Sequence, residues 1–276
     1  FEALKNFRSH EQKFNSLIFN NESLANLGRK NKIRCLNLIN LYHKIAEKSK
    51  IDLLLNCTDN DLGNPNFLVY RNQIINERLL RQVYFGSQLI ELTNLDVTKK
   101  NIFLEIGHGY GLLPRLLKNN FKNSKFILVD LPEVNILSYY YLQKTFPNTK
   151  ILCSSDIINQ ETIDKKLIDK YDFLILNQRD LKKIEDNFVD CTINIASLGE
   201  MDNETQLFYI NQIKRVTNNY FYSVNRFRKD NKLFEGLNGY YDFNLAEVWD
   251  KIYYDFSPTL HIEALLKKTD REKNYE

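Results

Sequence analysis

From residue 100 onward, apolar and polar positions follow two alternating rhythms. "NIFLEIG", "KFILVD", "KILCSSD" and "NYFYSVNRF" are short apolar runs of strand length, bounded by glycine or polar residues. Between them, "GLLPRLLKNNF" and "PEVNILSYYYLQKTF" place apolar residues at helical spacing. Each carries a proline in its first turn, where no hydrogen bond is lost. Strands alternating with short helices predict βαβ units and a Rossmann-like α/β sheet, with any ligand at the carboxyl ends of the strands. "YDFLILN" (171–177) and "VDCTINIAS" (189–197) compete for the fourth strand, and periodicity does not choose between them. "HIEALLKK" (261–268) follows a loop holding Gly236 and Gly239. It alternates, and is expected to end the sheet as an antiparallel partner.

The preceding stretch reads as mostly helical. Leu36, Leu38, Ile39, Tyr42 and Ile45 recur on one face of a helix. Ile75, Leu79, Leu80, Val83, Tyr84, Leu89 and Ile90 do so on a second, with "GNPNFLVYRN" (63–72) read as the loop between them. The expected organisation is a helical subdomain over residues 1–95, acting as a substrate lid, and a ligand-binding domain over 96–276. Four scattered cysteines without C-x-x-C pairing or histidines at ligand spacing read as free thiols, which points to a reducing, cytoplasmic setting. A net charge of +3 without a basic block argues against nucleic acid. No apolar run is long enough to span a membrane. Met201 is the only methionine, so the chain reads as a piece of a longer polypeptide. A homodimer stays open as its assembly.

The chemistry concentrates in "LEIGHGYG" (104–111), at the end of the first strand. Gly107, Gly109 and Gly111 let backbone approach a ligand closely, and the next helix presents unpaired N–H groups. A dinucleotide fingerprint wants glycine where Leu112 stands, and Glu105 repels phosphate but attracts an ammonium. Asp130 ends the second strand, where a carboxylate accepts from both ribose hydroxyls; a helix cap before Pro132 is the competing reading. Asp156, closing the third strand, can reach an adenine edge, or serve merely in a turn. An amino-acid head and an adenine riboside without a bridging phosphate describe S-adenosyl-L-methionine.

With these residues, the chain resembles the class I S-adenosylmethionine-dependent methyltransferases through "FLEIGHGYG" and "FILVDLPE". More narrowly, it is similar to the sugar O-methyltransferases of bacterial polysaccharide biosynthesis, through "GNP", "LVDLPE", "NIASLGEM" and "HIEALLKK". The resemblance covers about residues 60–268. It implies a sheet with an antiparallel last strand, and favours "VDCTINIAS" as the fourth strand, with "YDFLILNQ" inserted. It also implies that Glu105, Gly107 and Gly109 hold the methionine moiety and Asp130 the ribose. Leu131 would flank the adenine, Asp156 contact its amino group, and Asn194 lie beneath the sulfonium. The acceptor would be a sugar, nucleotide-sugar or glycan. His108 stands where the family has glycine.

Transfer to a hydroxyl needs a base within hydrogen-bond reach. Glu200 in "SLGEMDNE" is the first candidate, against a capping role that Asp202 fits better; His108 and His261 are the others. His10 and His43 read as surface or packing residues. Tyr70, Arg71, Tyr84, Arg226, Arg228, Tyr240 and Trp249 are candidate linings for a sugar, since aromatics stack on sugar rings and arginine clamps phosphate. No carboxylate–histidine set has metal-ligand spacing, so metal-independent transfer is expected.

Overall fold

A computed structural model describes residues 2–8, 17–18, 29–48, 58–65, 67–226, 249–258 and 261–269. The chain divides into two compact units, Phe1–Glu91 and Leu92–Glu276. The first contains α1 (Glu2–Lys5), β1 (Leu17–Ile18), α2 (Arg29–Lys48), β2 (Leu68–Tyr70), β3 (Gln73–Ile75) and most of α3 (Glu77–Thr93). On α2 the buried stripe is Cys35, Leu38, Tyr42 and Ile45, whereas Leu36 is 53% exposed and belongs to the outer face.

The expected loop at 63–72 and the start of the second helix are corrected by a hairpin. β2 and β3 pair antiparallel, with Tyr70 opposite Gln73, and β1 joins β2 in parallel. The two turn residues, Arg71 and Asn72, have φ of 49° and 62°, the left-handed pair that a two-residue hairpin demands. Asn76 then caps α3, its Oδ1 accepting from the Leu79 N–H at 2.8 Å. Arg8 is fully buried and ion-paired to Asp59, whose carboxylate also accepts from the Asn76 amide.

The second unit is built on an eight-stranded sheet. It runs through β4 (Ile102–Ile106), α4 (Leu112–Asn120), β5 (Lys125–Val129), α5 (Pro132–Thr145), β6 (Ile151–Cys153), α6 (Lys165–Ile168), β7 (Phe173–Leu176), β8 (Val189–Ile195), α7 (Asn203–Val216), β9 (Thr217–Arg226), β10 (Trp249–Phe256) and β11 (His261–Lys268). The strand order is β10-β11-β9-β8-β4-β5-β7-β6, and only β11 runs against its neighbours. The segment favoured as fourth strand is β8, beside β4. "YDFLIL" is an inserted parallel strand that separates β6 from β5.

Residues alternate between two buried faces, as a sheet covered on both sides requires. Ile102, Leu104, Ile106, Ile127, Val129, Leu174 and Leu176 meet Tyr209, Ile210, Ile213 and Val216 of α7 and Ile168 of α6. On the other face, Phe103 and Phe126 stack at 5.2 Å, Phe126 stacks on Phe173, and the ladder ends on Phe121 and Phe146, just past α4 and α5. Glu105 lies on this second face, beneath the turn into α4. No described helix is long and apolar enough to cross a membrane.

Candidate functional site

The crevice expected of such a sheet lies outside the tips of β4 and β8, where the connections leave in opposite directions. β4 turns out through Gly107, Gly109 and Gly111, with φ of 77°, 58° and 91°. The three glycines serve different ends. A Cβ on Gly107 would lie 2.1 Å from Ser197 Oγ, so its absence lets the loop after β8 close against the turn. A Cβ on Gly111 would crowd Leu142 at 3.2 Å. One on Gly109 would meet nothing within 4 Å, so here the bare backbone faces open space, as a ligand cradle requires.

Beside this loop lie two carboxyl groups. Glu105 is 4% exposed, and its Oε2 is buried without a hydrogen-bond partner among the described residues. Burial, and then the charge of Asp130, push its pKa up to about 8. Asp130 does not cap α5; that place is taken by Leu131, without a side-chain bond. Its Oδ2 accepts from the Gly109 N–H at 3.0 Å and its Oδ1 from the Leu131 N–H at 2.8 Å, tying the glycine loop to the tip of β5. Leu131 itself is 59% exposed beside that tip.

His108 is buried within the loop, and its Nε2 lies 3.0 Å from Asn135 Oδ1. The Asn135 amide nitrogen donates to the Asp130 and Leu176 carbonyls and to Asn177 Oδ1. Its oxygen must therefore accept, which places the histidine proton on Nε2 and a lone pair on Nδ1. Burial lowers the His108 pKa, against the opposing pull of Asp130, Asn135 and the Gly109 backbone, so the ring is neutral. The bonds His108–Asn135–Asn177 thus link the tips of β4, β5 and β7.

The loop after β8 starts with strain. Ala196 has φ 56°, a left-handed conformation that costs a residue with a Cβ about 1 kcal/mol or more. Asn194 is fully buried, and its amide donates to Ile106 O at 2.9 Å and to Ser197 Oγ at 2.5 Å. Its oxygen accepts from the Asn225 side chain and from the Leu198 N–H. Asn194 spends its hydrogen bonds holding the tips of β4, β8 and β9 together, a positioning role. Glu200 ends the short turn Leu198–Glu200 and is exposed. Capping of α7 falls to Asp202, whose Oδ1 accepts from the Thr205 N–H at 2.8 Å. His261 is buried opposite Arg226, the last residue of β9, and so stands at the same edge of the sheet.

Asp156 has the turn role that competed with the adenine contact: its carboxylate accepts from the Cys153 N–H at 2.8 Å, closing its own strand end, and β6 is separated from β5 by β7. The sugar-lining role expected of Trp249 is corrected. Trp249 is fully buried and pairs with Lys268, at the far end of β11 from His261, about 20 Å from the crevice edge at strand spacing. Its ring packs edge-on to Phe221 at 6.2 Å, so it belongs to the core.

In the first unit, Tyr70 hydrogen-bonds His43 Nε2 at 2.9 Å and lies under the Arg71 guanidinium. Tyr84 is buried, its hydroxyl accepting from Gln88 at 3.1 Å. His10, Cys57, Arg228, Gly236, Gly239 and Tyr240 lie outside the described residues. Sequence reasoning missed Asn135, Asn177, Ser197 and Asn225. Only Asn177 carried a signal, as the polar residue that ends an apolar run.

No protein-family model matches the sequence, and no curated protein matches it. Among solved structures, the PH0226 protein from Pyrococcus horikoshii OT3 is similar over 71% of this chain and 92% of its own, with a TM-score of 0.51 and 14% identity. A SAM dependent methyltransferase from Aquifex aeolicus covers 66% of this chain and 93% of its own, at 0.47 and 12%. The mitomycin 7-O-methyltransferase MmcR covers 70% and 57%, at 0.44 and 13%. Likeness at this level bears on architecture: the chain has a Rossmann-like sheet, parallel but for one reversed strand set between the last two parallel ones.

Proposed function

We propose that the chain is an S-adenosyl-L-methionine-dependent O-methyltransferase whose acceptor is a sugar hydroxyl, on a nucleotide-sugar or a surface glycan. The observation that carries the donor is Glu105: a buried carboxyl with an unpartnered oxygen, close to a second carboxyl and under the open backbone of Gly109. Two neighbouring carboxyl groups disfavour a pyrophosphate and suit an ammonium, which would satisfy the orphaned Oε2. The sugar rests on the resemblance of "NIASLGEM" and "HIEALLKK" to the sugar O-methyltransferases.

The residues present fit the donor. Glu105 would take its ammonium, the Gly107–Gly109 backbone would lie along its amino-acid moiety, Asp130 would take the ribose hydroxyls, and Leu131 would lie against the base. When bound, it supplies a methyl group on a positively charged sulfur. The chain's own work is alignment, exclusion of water and acceptance of the hydroxyl proton. An acceptor hydroxyl would give its proton to a base held by the chain within hydrogen-bond reach. We assign that role to Glu200, exposed at the end of the turn beyond β8, and its support is that Asp202 supplies the helix cap. The neutral His108 serves the loop, its Nε2 proton given to Asn135.

Titration calorimetry with S-adenosylhomocysteine tests the reading. Wild type is expected to bind, and Asp130→Ala to weaken binding at least about tenfold, the loss of hydrogen bonds to a charged acceptor. Absence of wild-type binding would overturn it. Methyl transfer to nucleotide-sugars or short glycans in a screen of acceptors supports the sugar; transfer only to other small metabolites would refute it.

A further inference from the structure

Building on that reading of the cleft, we infer that the base of the donor is recognised by Asn177 at the tip of β7, a specificity-determining residue, in place of Asp156 at the tip of β6. β7 lies between β5 and β6, so the strand tip adjoining Asp130 is Leu176–Asn177. The Asp130 N–H donates to the Leu176 carbonyl at 3.4 Å, which puts the two tips in direct contact. β6 begins one strand spacing further out, about 4.8 Å.

The hydrogen bonds point the same way. Asp156 Oδ2 closes its own strand end on the Cys153 N–H, and the Ser154 hydroxyl is engaged, its Oγ accepting from the Asn177 N–H at 2.7 Å and donating to Asp180 at 2.6 Å. These bonds brace the β7 tip from behind. Asn177 is half-buried, and its Oδ1 accepts from Asn135 at 3.1 Å, so its orientation is set and its amide nitrogen is the group left to donate. No hydrogen bond from that nitrogen is formed among the described residues. A fixed donor beside the ribose-binding carboxylate complements the N1 lone pair of adenine. Hypoxanthine carries a proton at N1 and would face the amide donor to donor.

The test compares S-adenosylhomocysteine with S-inosylhomocysteine by calorimetry on wild type, Asn177→Asp and Asp156→Ala. Wild type is expected to prefer the adenosyl compound by at least about tenfold. Asn177→Asp keeps the oxygen that accepts from Asn135 and presents a second acceptor to the base. It is expected to lose adenosyl affinity and gain inosyl affinity, a reversal that a purely structural role does not produce. Asp156→Ala is expected to leave both within about twofold. Unchanged preference in Asn177→Asp, or a loss in Asp156→Ala matching that of Asn177→Asp, would overturn the inference while leaving the donor reading intact. Failure of wild type to bind the adenosyl compound would remove the reading beneath it.

Discussion

The residue that decides most here is Glu105. A folded-state pKa of about 8 against an ordinary 4.5 means that the native protein holds a proton that the unfolded chain has released. Between these pH values the unfolded state binds fewer protons, so stability falls as pH rises, and the loss is complete above about 8. His108 acts oppositely, since its lowered pKa makes acid unfavourable to the fold. The two are separated by Glu105→Gln. Denaturant melts of the ligand-free protein from pH 5 to 8.5 are expected to show the variant losing less stability with rising pH than wild type, and equal slopes would contradict the burial of this carboxyl. Glu200 belongs to the same scale. Glu200→Gln is expected to slow turnover at least ~100-fold with S-adenosylhomocysteine affinity kept. A loss below about tenfold moves the proton to His108 or leaves only alignment.

At the scale of elements, hydrophobic rhythm revealed the βαβ units because the central strands β4, β5, β7 and β8 are buried on both faces and α4 and α5 carry a proline in their first turn. The β2–β3 hairpin escaped notice because Arg71–Asn72 lacks the glycine that normally marks a left-handed two-residue turn. The place of β7 escaped for another reason: an apolar run has no feature that says which neighbour it pairs with. The resemblance assigns Asp156 to the base, and the inserted strand parts its strand tip from that of Asp130. Trp249 shows the converse error, an aromatic read as a sugar platform when strand register carries it to the far end of the sheet. Trp249→Ala is accordingly expected to cost about 3–5 kcal/mol in denaturant unfolding. Folded variant should bind S-adenosylhomocysteine within about twofold of wild type, and a selective loss of acceptor affinity at unchanged stability would restore the platform.

Over the whole molecule, the glycine loop, Asp130 and the post-β8 loop were legible because a ligand at strand tips needs bare backbone and charge at fixed points of the chain. The asparagine pairs Asn135–Asn177 and Asn194–Asn225 were not legible, since residues so far apart in the chain meet only through the sheet's order. These pairs brace the strand tips on either side of the crevice, and their purpose turns on whether a cation enters beside Glu105. The direct measurement is calorimetric titration of wild type with S-adenosylhomocysteine at pH 7, in two buffers of different ionisation enthalpy. An ammonium beside Glu105 favours its carboxylate, so binding should release close to one proton per molecule, and the observed enthalpy should differ between buffers accordingly. Binding with identical enthalpies in both buffers, or no binding, would contradict the account.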